Sequence, residues 1–324
     1  MLRIVLTALA GGVLSGVLGL ILLPVLRALK AGQSVREIGP TWHNIKAGTP
    51  LMGGLMFVGA AILCLLGNLF TIESYTVFYV LALALCFCLV GFLDDFFKVK
   101  FKRDLGLTAF QKMALQMAVS AIYLYVLYSQ GVMSTELYIP FFNVSFTIHP
   151  ILYIFFAMFV MVGTVNAVNL TDGVDGLCAT VTLPVMAFFA AVAICKGLWD
   201  LALLPACLFG GLIAYLFYNW HPAKVFMGDT GSLFLGGIVC ALAFALEIPL
   251  ALILVGFVYM MEVVSDLIQF AYFRATHGKR FFKMAPIHHH FEMCGWKEVK
   301  IVLVFSAVSA LMCLLAWFGV CNLW

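Results

Sequence analysis

The chain has 324 residues, 65% of them hydrophobic and 10% charged, with a formal net charge of +3 and a mean hydropathy of +1.11. Soluble domains carry about 25% charged residues, so the composition excludes them and leaves an integral membrane protein. The ten cysteines lie mostly within apolar runs and form no C-x-x-C pair, so they read as small core hydrophobes.

A membrane-spanning helix needs about 20 apolar residues. Taken in chain order, runs near 2–28, 50–70, 75–93, 110–130, 150–168, 177–195, 200–218, 232–247, 249–273 and 300–322 predict ten helices. The first follows Arg3 with no small-residue cleavage site behind it, which predicts an uncleaved helix. Between the fourth and fifth runs, TELYIPFFNVSFTIHP (135–150) alternates apolar and polar residues and predicts a short β-hairpin. The ninth run is interrupted by Glu262 and Asp266. The loops alternate between basic and nearly uncharged. Arg3 and Lys196 fall on one side, and the other 16 of the 18 cations fall on the opposite side. The positive-inside rule makes the basic side cytoplasmic, and an even number of spans puts both termini outside. No soluble second domain or clear repeat appears, so residues 1–324 are expected to form a single all-α membrane domain with a cytoplasmic cleft.

Polar residues concentrate on the basic side. HNIKAGTPLMGG (43–54) offers Lys46 beside turn-forming Gly and Pro. FLDDFFKVK (92–100) sets Asp94 beside Asp95 where an apolar run ends, with Lys98 just beyond. One acid there would serve as an interfacial cap. Two that repel each other suit a divalent cation, or an acid–base pair with separated pKa values. Lys112 enters the fourth span and requires an anionic partner. NAVNLTDGVDGL (166–177) places Asn166, Asn169, Asp172 and Asp175 at three-residue spacing, with Gly173 and Gly176 allowing close backbone approach. In YNWHPAKVFMGDTGS (218–232), Asn219 and Asp229 flank a compact loop, and GDTGS opens the eighth helix. MAPIHHHFE (284–292) carries His288, His289 and His290. Successive helical side chains diverge by about 100°, unlike the four-residue spacing of helical zinc pairs, so these histidines read as donors to phosphate. Oxygen ligands of the type that suits Mg²⁺, with lysines and histidines suited to phosphate, point to phosphoryl transfer at a membrane surface.

FLDDFFKVK, NAVNLTDGVDGL, VFMGDTGSL and MAPIHHHFE, in this order, resemble the bacterial phospho-N-acetylmuramoyl-pentapeptide transferases (translocase I). That family belongs to the polyprenyl-phosphate N-acetylhexosamine-1-phosphate transferase superfamily. The resemblance runs from about Arg27 to the last helix. Leu51 stands where the family usually shows Thr. It implies transfer of a phospho-sugar from UDP-MurNAc-pentapeptide to undecaprenyl phosphate, with Mg²⁺, giving lipid I and UMP in the bacterial cytoplasmic membrane. It also implies a homodimer, a bent ninth helix and no nucleic-acid partner. Carried over residue by residue, Asp229 resembles the Mg²⁺ ligand, and Asp94, with Asp95 beside it, resembles the group that deprotonates the lipid phosphate. Asn169, Asp172, Asn219, Lys112 and His288 to His290 resemble the essential polar set. Phe226, Asp175 and Lys98 resemble the uridine pocket, with Lys46 and Gly173 also on the substrate side. The rival readings are a sister polyprenyl-phosphate transferase using UDP-GlcNAc or another UDP-HexNAc, and a cation transporter. The triple-His loop argues against the first. Carboxylates gathered at one mouth, rather than at the midplane, argue against the second.

Overall fold

The computed structural model describes residues 1–29, 48–101 and 105–323. The described residues form twelve α-helices and one hairpin: α1 (Leu2–Ala28), α2 (Leu55–Gly67), α3 (Thr76–Phe101), α4 (Ala109–Ser129), β1 (Glu136–Ile139), β2 (Val144–Thr147), α5 (Pro150–Thr171), α6 (Leu177–Cys195), α7 (Trp199–Asn219), α8 (Gly228–Ala245), α9 (Leu252–Val255), α10 (Phe257–Ala275), α11 (Ile287–Met293) and α12 (Glu298–Val320). Eight of these are long and apolar enough to cross a membrane, or nine if the bent pair α9–α10 counts as one span. The chain is therefore a multi-pass membrane protein.

Each of the ten apolar runs coincides with helix, but two depart from a simple span. The second yields only the 13-residue α2, because the Met52–Gly54 segment is spent bonding to the 226–227 loop through the Gly53 and Gly54 amides. The ninth breaks by 79° at Gly256, before its polar residues rather than at them. The hairpin forms as the alternation predicts, antiparallel, with Leu137 opposite Phe146.

Helix α8 is the most enclosed element, with nearly all of its residues buried. Small residues let its neighbours approach closely, as helix packing in lipid requires. A methyl on Gly237 would lie 2.8 Å from Ala84 Cα in α3, and one on Gly236 would lie 2.6 Å from Val165 Cα in α5. Helices α1 and α4 instead expose Leu9, Val13, Leu20, Ile122, Tyr125 and similar side chains. Those faces suit hydrocarbon, which leaves the backbone bonds to be made within each helix. The C-terminal ends of α3 and α5 and the N-terminal ends of α4 and α8 meet at one end of the bundle, where the polar motifs converge.

Candidate active site

Gly91 lets α3 press against the first turn of α8, since a side chain there would run into the Asp229 carbonyl. One turn further along α3, Asp94 and Asp95 face α8 from buried positions. Asp95 Oδ2 accepts from the Thr230 amide (2.9 Å) and hydroxyl (2.7 Å), and Oδ1 accepts from the Asp229 amide (3.2 Å). A carboxylate on the free amides of a helix N-terminus is favourable on hydrogen-bonding and dipole grounds. Asp95 is therefore the anchor of α8 and fixes the backbone of Asp229. Gly228 completes the turn with φ +74°, and a methyl there would sit 2.5 Å from Asp95 Oδ2.

Asp229 carries the densest set of partners. Lys112 Nζ lies 2.8 Å from its Oδ2 and also donates to Asn169 Oδ1 at 3.0 Å. The Asn169 amide donates to Asp229 Oδ1 (2.9 Å) and to Ser232 Oγ (2.8 Å). Lys98 Nζ stands 2.6 Å from Asp94 Oδ2, 3.3 Å from Asp229 Oδ2 and 3.8 Å from Asp95 Oδ1. Asp94 Oδ1 accepts from the Leu107 amide at 2.8 Å. Three carboxylates thus face two ammonium groups. Oxygens of Asp94, Asp95 and Asp229 lie within 4.8 Å of one another. This donor set fits a hard divalent cation, which takes one or two carboxylates and completes its shell with water and phosphate oxygens. Asp94 and Asp229 are the members whose oxygens are not consumed in capping α8.

The 172–176 turn forms a second group. Burial first, then the charges of Asp229, Asp95 and Asp175, push Asp172 well above the usual carboxylate range, against a hydrogen bond from the Gly228 amide. Asn219 joins two loops: its Oδ1 accepts from the Gly176 amide (3.0 Å), and its Nδ2 donates to the Val225 carbonyl (2.9 Å). That makes Asn219 a positioning residue. Asp175 Oδ2 lies 3.1 Å from His221 Nδ1 and accepts from the Ala223 amide at 3.0 Å, while Glu298 Oε2 lies 3.4 Å from the same His221 nitrogen. Phe226 is half-buried, its backbone tied to Pro50 and Gly53.

The histidines lie on α11. His288 and Gly173 are in close approach, since a side chain on Gly173 would run into His288 Nε2. His289 Nδ1 pairs with Glu292 Oε2 at 2.5 Å, and His290 Nδ1 accepts from the Lys283 amide at 3.1 Å.

Asp94, Asp95, Asp229, Lys112 and Asn169, drawn from four separate motifs, thus form one network, and Gly173 brings His288 onto the neighbouring turn. Lys98 belongs to the carboxylate network, whereas Asp175 belongs to the His221–Glu298 network. Lys46 lies outside the described residues. Sequence reasoning missed Thr230, Ser232, His221 and the pairing role of Glu262. Of these only Glu262 left a signal, as an acid inside an apolar run.

The charged network stands at one end of a transmembrane bundle, and a model of glycosyl transferase family 4 matches residues 77–247, which makes the chain a membrane-embedded transferase. Among curated proteins, the chain is 44% identical over 299 residues to the phospho-N-acetylmuramoyl-pentapeptide-transferase of Clostridium acetobutylicum, covering 92% of this chain and 93% of that one. It is 44% identical over 318 residues to the same enzyme of Clostridium perfringens, covering 97% and 98%. A third relative, from Caldanaerobacter subterraneus, is 44% identical over 301 residues, with 93% of each chain covered. The chain belongs to the phospho-N-acetylmuramoyl-pentapeptide-transferase family and is an enzyme.

Proposed function

We propose that the protein transfers phospho-MurNAc-pentapeptide from UDP-MurNAc-pentapeptide to undecaprenyl phosphate, releasing UMP and forming lipid I for peptidoglycan synthesis. In this reading residues 1–324 are one catalytic domain in the bacterial cytoplasmic membrane, with both termini outside, the charged end in the cytoplasm and a homodimer as the working unit. The carrying observation is the Asp94–Asp95–Asp229 cluster, threaded by Lys98 and Lys112 at the end of an apolar bundle. Oxygen donors and ammonium groups together suit a reaction between two phosphates.

An oxygen of the lipid phosphate attacks the β-phosphorus of the nucleotide sugar. The new P–O bond forms as the bond from the β-phosphorus to the bridging oxygen breaks, and UMP departs. A phosphate monoester has its second pKa near 6, so the nucleophile is already mostly dianionic at pH 7. The larger obstacle is bringing two anions together. Asp229, with Asp94, would hold Mg²⁺, which supplies positive charge for the phosphate oxygens. Lys112, held by Asn169 and Asp229, contributes a fixed ammonium beside it, and Lys98 is assigned to the diphosphate. Asp94 accepts the proton of the minor fraction of lipid phosphate that is still monoanionic, leaving the dianion as nucleophile. Asp95 fixes α8, and Asn219 fixes the turns that carry Asp172 and Asp175. Phe226 offers an aromatic face to the uracil beside Asp175, and of the three histidines His288 turns its Nε2 to the substrate side beside Gly173.

The test is UMP release by detergent-purified protein with polyprenyl phosphate and Mg²⁺, using UDP-MurNAc-pentapeptide in one tube and UDP-GlcNAc in another. Release from the muramoyl substrate alone is expected. Release only from UDP-GlcNAc would overturn the substrate, and a radiolabelled phospho-enzyme formed without lipid would overturn direct attack.

A further inference from the structure

We infer that Glu262 is a positioning residue for the transfer reaction, acting through His288, and that the three consecutive histidines have unlike roles. The inference rests on the proposed transfer activity. Glu262 lies in α10, 26 residues before His288, and both side chains are almost wholly buried, at 0% and 1% exposure. His288 Nδ1 is 2.9 Å from Glu262 Oε2. The same oxygen faces the His288 amide at 3.5 Å, so it acts as an acceptor. A carboxylate has no proton to give, which places the proton of His288 on Nδ1 and turns Nε2 toward the site.

Two atoms of this pair have no partner among the described residues: Glu262 Oε1 and His288 Nε2. Leaving two buried polar atoms unsatisfied is a poor way to stabilise a fold, and a hydrophobic pair of similar shape would serve better. His288 Nε2 is also aimed at Gly173, where only a glycine leaves room for it, next to Asp172. The unsatisfied nitrogen therefore points at the turn that carries the site's acids; with the proton on Nδ1 it is an acceptor, so the partner it lacks is a donor, a sugar hydroxyl or amide N–H of the substrate rather than a phosphate oxygen.

The neighbouring histidines are built otherwise. His289 is backed by Glu292 within its own helix. His290 Nδ1 is already an acceptor, from the Lys283 amide, so it staples the 281–283 segment to α11. Gln269, seven residues beyond Glu262, accepts from the Phe281 and Phe282 amides of that segment. Helix α10 thus holds the histidine loop at two points, and Glu262 alone of these contacts reaches a side chain facing the site.

The experiment compares wild type, Glu262→Gln, Glu262→Asp, His288→Ala and the double variant Glu262→Gln/His288→Ala in the UMP-release assay. A carboxamide can accept from Nδ1–H or donate to bare Nδ1, so it keeps the packing while releasing the tautomer. Glu262→Gln should lower kcat on the order of 100-fold, with KM for the UDP-sugar within about twofold. Glu262→Asp, which keeps an acceptor-only group, should recover part of the rate. In the His288→Ala background, Glu262→Gln should cost nothing further. The second readout needs no turnover: in ¹⁵N-histidine-labelled protein, with His288 assigned by its loss in His288→Ala, Nδ1 should be protonated in wild type and both tautomers present in Glu262→Gln. Full activity of Glu262→Gln, or a loss that adds to that of His288→Ala, would overturn the inference. A wild type that releases no UMP would refute the transfer reaction instead, and the tautomer spectrum would then judge the Glu262–His288 pair by itself.

Discussion

Replacing Gly228 with alanine tests whether the α3–α8 junction sets the catalytic geometry. Two costs arise at one position. Its φ of +74° is left-handed, which costs an L-residue about 1–2 kcal/mol. The new methyl would also lie 2.5 Å from Asp95 Oδ2 and 3.0 Å from the Met52 amide nitrogen. An ordinary carbon–oxygen contact is about 3.3 Å, so the Asp95 carboxylate must yield by roughly 0.8 Å. That oxygen holds both the amide and the hydroxyl of Thr230, so the start of α8, and Asp229 with it, must move. Displacements near 1 Å at a reacting centre cost about 100-fold in rate. Gly131 is the control: its φ is +67°, and a methyl there meets nothing within 4 Å. Gly131→Ala should lose about 1–2 kcal/mol of stability and keep its kcat. Gly228→Ala should lose stability and about 100-fold of kcat in UMP release. A Gly228→Ala enzyme as unstable as Gly131→Ala yet fully active would refute the claim that Asp95 positions Asp229.

The adjacent aspartates should separate in their defects. Asp95→Asn turns an amide NH₂ toward groups that need an acceptor, and should cost about 1–3 kcal/mol in thermal unfolding as well as activity. Asp94→Asn can still accept from Leu107 and should abolish UMP release while the melting temperature holds. Asp172 is held well above the usual carboxylate range, so its ionisation opposes folding. With a raised folded-state pKa, wild-type stability falls as pH rises above the unfolded value of about 3.9. Asp172→Asn should therefore gain melting temperature over wild type at pH 8 and little at pH 4, while losing turnover. Chelation with EDTA should stop UMP release, and added Mg²⁺ should restore it. Activity surviving chelation would remove the metal from the mechanism.

Much of the fold was legible because lipid imposes a simple pattern. Apolar runs marked every span, and the alternation around Phe141–Asn143 marked the hairpin. The bend was legible only as an anomaly, since Gly256 breaks the helix while Glu262 and Asp266 merely advertised an unusual run. The site was legible as composition, because Asp, Asn, Lys and His concentrate in loops of one sign. Its wiring was not. Nothing in the spacing of Lys98 tells that it reaches Asp229 across 131 residues of chain, or that Asp95 caps a helix rather than sharing a metal equally with Asp94. Such pairings depend on which helix faces meet, and that is decided by small residues such as Gly91 and Gly237.

The ammonium of Lys98 has a consequence for the order of events. It is tethered one helical turn from Asp94 and already touches three carboxylates. A tethered cation competes at a high effective concentration that no change in the medium can dilute. A bare divalent ion must evict it and gains little by doing so. A metal arriving with a diphosphate brings new anions onto which Lys98 can swing, so eviction becomes relocation. If the cluster takes the proposed metal, the lysine favours the metal–nucleotide pair over the free ion and keeps the cluster from loading before there is anything to transfer.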